Sequence, residues 1–261
     1  MILKEQLGKQ QVFCPCIYDC ITAKVAEDSG FGAALVSGGG IAYSWLGLPD
    51  LAMLTADDIV RATERIAACV KIPLVVDTDD GYGESPVVVY RTVKRLAEAG
   101  AQAVTIDDST GIRGFERYIY ADMVGKSYYQ RVVSRKAWLT KIVAAVEACK
   151  GTDCFVIART ECYSQYGKEE MRQRLVLSRK AGAMMTLVCD GMENEQDAHE
   201  IAAYDGGWKM WPDYYSVDGK PSADIDALKE MDFNLVTMHV FEKAALYGMF
   251  AKGKKFIEVL K

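Results

Sequence analysis

A chain of 261 residues, 50% of them hydrophobic, is long enough to bury one large core, and α/β barrels of roughly 250 residues fold as a single domain. A net charge of -5 with a pI near 5.3 excludes a broad basic footprint for nucleic acid or an anionic membrane, which leaves small solutes as the partners to expect. No stretch approaches the ~20 apolar residues of a membrane span, and the opening MILKEQLGKQQ lacks the apolar core of a signal peptide. The sequence therefore reads as one cytoplasmic domain over residues 1–261, with its eight cysteines as reduced thiols.

Short β-rich runs alternate with amphipathic helical stretches, the pattern of parallel strands joined by helical crossovers. The first run, 11–19, carries Cys14 and Cys16, with Cys20 just beyond it. Their C-x-C-x3-C spacing matches no familiar zinc pattern, so they read as small buried hydrophobes. The second run, 33–39, ends in Ser37-Gly38-Gly39-Gly40. Unobstructed amides there suit a carboxylate or phosphate, the alternative being a flexible strand-to-loop transition. After the helical stretch TADDIVRATERIAACV comes the third run, 73–80, whose end holds Asp77, Asp79 and Asp80. Asp77 and Asp79 flank Thr78 and are expected on one face of the strand.

The helical stretch VVVYRTVKRLAEAG closes at Gly100, where glycine supplies a left-handed cap. The fourth run, 103–109, ends in Asp107 and Asp108, and residues 109–133 then form a long connection whose place after a strand suggests a lid. The fifth run, 154–160, finishes in Arg159, with Glu161 following, and KEEMRQRLVLSRKAG closes at Gly182. The sixth, 184–190, ends in Cys189 and Asp190. His199 lies in the polar stretch ENEQDAHEIAAY and reads as solvated. A seventh run spans 208–215, and the eighth, 234–240, carries His239, either substrate-facing or a satisfied buried histidine.

Eight strand-helix pairs predict a (β/α)8 TIM barrel, in which the active site lies at the C-terminal ends of the strands. Nearly every run finishes in a polar group there. Asp77, Asp79 and Asp107 crowded at one mouth would raise one another's pKa unless a cation sat among them, and hard oxygen donors suit Mg2+ or Mn2+. The alternative is that these aspartates cap turns. Arg159 is poised either to grip a substrate carboxylate with both arms or to form a structural ion pair with an aspartate.

The segments YDCITAK from Tyr18, VSGGG from Val36, LGLPD ending at Asp50, VDTDDGYG from Val76 and IART from Ile157 together resemble the isocitrate lyase and phosphoenolpyruvate mutase superfamily. That resemblance implies a homo-oligomer, dimer or tetramer, that exchanges its C-terminal helix and acts on a small 2-oxo or 2-hydroxy acid through an enolate. By position it makes Asp77 the direct metal ligand, with Asp50, Asp79 and Asp107 holding the metal's waters. Ser37, Gly38 and Gly39 become the carboxylate cradle, and Arg159 the grip on the substrate or enolate oxygen. Asp50 joins Arg159 and His239 as a catalytic candidate.

The chain departs from the pattern in three places. Gly111–Glu116 contains no cysteine where the lyases carry a catalytic one, position 107 is aspartate rather than glutamate, and Cys189 stands where glutamate or histidine is usual. His239 is similar to the strand-eight histidine of the oxaloacetate decarboxylase branch, which also lacks the lyase cysteine. Oxaloacetate decarboxylation is thus the sharpest reading. Phosphonopyruvate chemistry and a non-catalytic 2-oxo acid binder are the alternatives.

Overall fold

All eight runs form strands, and each binds its sequence neighbours. In the computed structural model, residues 2–110, 132–189, 191, 192, 194–215 and 220–260 are described. The strands are β1 (Val12–Ile17), β2 (Ala34–Val36), β3 (Leu74–Val76), β4 (Ala101–Ile106), β5 (Phe155–Thr160), β6 (Met185–Val188), β7 (Lys209–Trp211) and β8 (Phe233–Met238). They pair in parallel in chain order, and β8 returns to β1 through Val12↔Leu235, closing the barrel. The protein is a (β/α)8 barrel of the α/β class.

The helices are α1 (Leu3–Leu7), α2 (Cys20–Asp28), α3 (Gly38–Ile41), α4 (Ala56–Ala67), α5 (Pro86–Glu98), α6 (Arg135–Cys149), α7 (Tyr163–Lys180), α8 (Glu195–Tyr204), α9 (Ile225–Glu230) and α10 (Val240–Leu260), with a π-turn over Ala42–Leu46 after α3. Their starts are chemically specified. Asp19 and Thr22 form a reciprocal cap on α2, as do Thr55 and Asp58 on α4. Gly100 and Gly182 sit at φ 105° and 102°, conformations that L-residues resist, and so supply the left-handed turns expected of them.

Two apolar layers follow from the period-two alternation of the strands. One set, including Cys14, Cys16, Leu35, Val75, Ala103, Ile157, Leu187 and Leu235, fills the barrel, where Leu3 and Leu7 of α1 join it. The alternate set, such as Ile17, Val36, Val76, Ile106 and Ala158, packs under the helices. The sequence placed Cys14, Cys16 and Cys20 together as core hydrophobes. Cys14 and Cys16 are fully buried, whereas Cys20 opens α2 and is only half-buried. None of the eight cysteines is in a disulfide, and His199 is exposed as expected.

Residues 111–131, most of the expected lid, lie outside the described residues, as does Asp190. The two ends of that interval meet: Ser109 bridges Val132, and the Val133 amide donates to the Asp108 carbonyl at 2.7 Å. Among the described residues, no helix is long and apolar enough to cross a membrane.

Candidate active site

Extending the inward alternation of each strand by one or two steps predicts what lines the barrel mouth: Cys16 after Cys14, Ser37 after Leu35, Asp77 after Val75, Thr105 and Asp107 after Ala103, Arg159 after Ile157, Cys189 after Leu187, and His239 two steps after Leu235. The polar strand ends therefore divide by parity. Asp80 and Asp108, with the other parity, turn to the helical layer. Asp80 meets the Lys141 ammonium of α6 at 2.9 Å, and Asp108 accepts from Arg174 of α7 at 2.9 Å, from the Glu161 amide at 2.8 Å and from the Thr160 hydroxyl at 2.5 Å. Burial pushes the Asp108 carboxyl up to about 6, against the pull of those donors. These two aspartates hold the barrel to its helices.

The strand geometry corrects one sequence argument. β3 ends at Val76, so Asp77 and Asp79 do not share a strand face. Asp77 continues the inward register, and its amide donates to the Val36 carbonyl at 3.1 Å. Asp79 lies in the following turn at φ 44°, its carbonyl fixed by the Asp107 amide at 2.8 Å. A non-glycine residue in this left-handed region is strained, a condition found most often at functional sites.

Arg159 is the centre of the mouth. Its Nε donates to Glu161 Oε1 at 2.6 Å, and its Nη1 reaches Asp77 Oδ1 at 3.1 Å. Burial opposes its charge, but Cys189, Glu161, Asp77 and Asp107 around it prevail and hold its pKa well above the usual arginine value. Asp77 Oδ1 also accepts from the Thr105 hydroxyl at 2.8 Å, and the Thr105 oxygen takes the Thr78 amide at 3.1 Å. Thr105 was missed in the sequence because a threonine inside a strand looks like ordinary β propensity. Only its inward parity marks it.

The Ser37 hydroxyl caps α3 by accepting from the Gly40 amide at 3.1 Å. A Cβ on Gly39 would lie 3.1 Å from the Asp50 carboxyl, and one on Gly38 would lie 3.8 Å from Asp79 Oδ2. The missing side chains at 38 and 39 thus let two of the expected carboxylates approach the cradle. Ser37, Gly38, Gly39, Asp50 and Asp79 come together on one flank, and Asp77, Asp107 and Arg159 on the next.

Among the described residues, no group of three His, Cys, Asp or Glu side chains is placed so as to hold an ion by itself. Asp107 has one carboxylate oxygen occupied by Ser109, through amide and hydroxyl at 2.9 and 2.7 Å, while Oδ2 is buried without a partner among the described residues. A buried anionic oxygen left unpaired is costly and calls for a donor or a cation's water. The donor set is all hard oxygen. Both observations fit a divalent cation reached by one direct carboxylate and by others through water.

His239 stands apart from Arg159, three strands away round the barrel. Its Nδ1 pairs with Asp213 Oδ2 at 3.1 Å, and Cys16 is its other polar neighbour. Burial works against its charge, yet Cys16 and Asp213 outweigh burial and raise its pKa from the ordinary 6.5. The ring is 37% exposed, so it is not a sealed core histidine. Sequence reasoning missed Asp213, in the weakly patterned seventh run, and Glu242 of α10, whose buried Oε1 has no partner among the described residues.

The chain matches the phosphoenolpyruvate phosphomutase family over residues 3–257. It is 32% identical over 253 residues to the petal death protein of Dianthus caryophyllus, covering 96% of this chain and 73% of that one. It is 37% identical over 163 residues to the 2-methylisocitrate lyase of Salmonella typhimurium, covering 62% of this chain and only 52%, about half, of that enzyme's length. Among solved structures, oxaloacetate acetylhydrolase bound to the inhibitor 3,3-difluorooxalacetate superposes with a TM-score of 0.82 at 28% identity, covering 96% of this chain and 82% of that one.

Proposed function

The chain belongs to the phosphoenolpyruvate phosphomutase family, and from that premise and the barrel-mouth geometry we propose a metal-dependent carbon-carbon lyase that acts on a small 2-oxo or 2-hydroxy dicarboxylic acid through an enolate, with oxaloacetate decarboxylation as its sharpest form. The observation that carries this reading is the Arg159 guanidinium, charged and held by Glu161 and Asp77 at the inner end of β5. A preorganised cation at that position stabilises an oxygen on which negative charge develops.

Ser37, Gly38 and Gly39 bind one substrate carboxylate, and Arg159 faces the 2-oxo oxygen. Asp77 would ligate Mg2+ or Mn2+ directly, with Asp50, Asp79 and Asp107 on its water shell. When bound, the cation supplies a second positive charge beside the 2-oxo group. As the carbon-carbon bond breaks, its electron pair moves toward the 2-oxo oxygen, where Arg159 offsets the new charge. His239, kept protonated by Asp213, orients the substrate from the opposite flank or delivers the later proton. Residues 109–133 remain the proposed lid that excludes water.

The chain acts on a free small molecule in the cytoplasm, as a homodimer or homotetramer. Helix α10 supports the oligomer, because Leu246, Tyr247, Met249, Phe250, Phe256 and Val259 are each at least 65% exposed on it. An apolar face of that extent suits exchange of the helix with another copy.

The test is a panel of 2-oxo and 2-hydroxy diacids incubated with the protein and Mg2+, with products followed by proton NMR. Oxaloacetate should yield pyruvate faster than the Mg2+-only control, and chelation should abolish the difference. Turnover of phosphonopyruvate alone, with release of phosphate, would move the assignment to phosphonate chemistry. Oxalate binding with no turnover would leave a binder.

A further inference from the structure

Two thiols distant in sequence meet on the outer layer, away from the barrel mouth. Cys20 is the first residue of α2, and Cys69 lies in the turn after α4, where its amide donates to the Ile66 carbonyl at 3.0 Å. The Cys69 thiol reaches the Cys20 carbonyl at 4.0 Å, the Cys20 thiol reaches the Arg65 carbonyl at 3.5 Å, and the two thiols influence each other's ionisation. Both residues are half-buried, so a small oxidant has access. Burial and the neighbouring Cys20 push the Cys69 thiol up to about 11, with Lys24, one turn further along α2, pulling the other way.

A second pair behaves differently. Cys149 and Cys154 also influence each other's ionisation, but they are only 7% and 3% exposed at the junction of α6 and β5. Proximity is common to both pairs, and access separates them.

We propose that Cys20 and Cys69 form a reversible oxidative modification site, closed to a disulfide by a peroxide. The Cys69 thiol already lies against the Cys20 backbone, so the two side chains are neighbours that rotation about their Cα–Cβ bonds would bring toward the ~2.05 Å of the bond. In the first step one thiol sulfur attacks a peroxide oxygen, the O–O bond breaks, and a sulfenic acid and one water result. In the second, the other sulfur displaces the sulfenyl oxygen, the S–S bond forms, and a second water carries off the remaining proton. The thiols lose two electrons to the peroxide, and a dithiol reductant returns them. The closed loop spans residues 20–69 and so encloses β2, the Ser37–Gly39 cradle and Asp50.

The test uses the intact protein, oxidised with enough hydrogen peroxide to consume two thiols, then alkylated and digested with trypsin. Cys20 falls in the peptide of residues 10–24 and Cys69 in that of residues 66–71. The expected product is these two peptides joined, with fragmentation placing the bond at Cys20 rather than Cys14 or Cys16, and with dithiothreitol separating them. Neither Cys20→Ser nor Cys69→Ser should yield it. Recovery of both peptides unjoined after two thiols have been consumed would overturn the proposal. So would a bond between the peptides of residues 142–150 and 151–159, which hold the buried pair, in place of this one.

Discussion

The Arg159 guanidinium reaches from β5 past β4 to the Asp77 carboxylate beyond β3, Nη1 to Oδ1 at 3.1 Å. With Glu161 on its Nε, the fork is fixed before any substrate arrives. Removing one preorganised oxyanion donor costs ~10² to 10³ in rate, so Arg159→Ala should lower kcat on oxaloacetate by that order. Arg159→Lys keeps the charge without the planar fork and should recover only part of it. Steady-state kinetics with saturating Mg2+ check this, and a kcat unchanged in Arg159→Ala would remove the arginine from the mechanism.

A second buried arginine separates stability from chemistry. Arg174 holds Asp108 at 2.9 Å in the helical layer, with side chains only 4% and 0% exposed. Breaking such a pair from one side leaves a buried charge and costs about 3–5 kcal/mol, so Arg174→Leu should lose roughly that in urea unfolding. The Asp108 carboxyl has a folded pKa near 6, above the ordinary 3.8. It thus favours the folded state when protonated, a contribution fully present below 3.8 and lost as pH rises through about 6. Without Arg174 to oppose that shift, the variant should regain more stability than the parent between pH 7 and pH 5. An Arg174→Leu protein as stable as the parent at pH 7 would contradict the assignment.

His239 makes the corresponding prediction for activity. Its raised pKa keeps the ring an imidazolium at neutral pH, so kcat/KM should show no histidine inflection near 6.5. Any stability drawn from that charge is present below 6.5 and is lost only as pH rises through the higher folded value. Asp213→Asn removes the carboxylate at 3.1 Å and should bring an inflection down toward the ordinary value. A parent profile already breaking near 6.5, and unmoved by Asp213→Asn, would show that the ring is not held this way.

The sequence made the eight strands legible because each is a short run with a polar end. It did not show which polar ends turn inward. Asp77 and Asp80 look alike in DTDD, as do Asp107 and Asp108 in adjacent positions. Their fates depend on parity and on Lys141 and Arg174, which arrive from helices 61 and 66 residues away. Cys16 read correctly as buried, but its contact with His239 depends on β8 closing against β1, a pairing between the two ends of the chain. Glu242 was invisible for the same reason.

That closure can be probed at Gly40. A Cβ there would lie 2.5 Å from Glu242 Oε1 and 2.8 Å from the Tyr18 Cβ, and Tyr18 cannot retreat without moving the end of β1. Overpacking of this kind costs about 1–3 kcal/mol. Gly40→Ala should therefore lower Tm, whereas Gly253→Ala, where a Cβ meets nothing within 4 Å, should not. Equal melting temperatures would mean that α10 does not press on the cradle as the structure has it.

The central claim is that Asp77 anchors a divalent cation at this barrel mouth, and isothermal titration calorimetry of Mg2+ into the parent and Asp77→Asn, each with and without saturating oxalate, tests it most directly. The parent should bind Mg2+ more tightly in the presence of oxalate, because the cation and a small dicarboxylate share the site. Asp77→Asn should lose both the binding and the oxalate dependence while keeping its fold by circular dichroism. Equal Mg2+ affinity in the two proteins, with and without oxalate, would contradict the account.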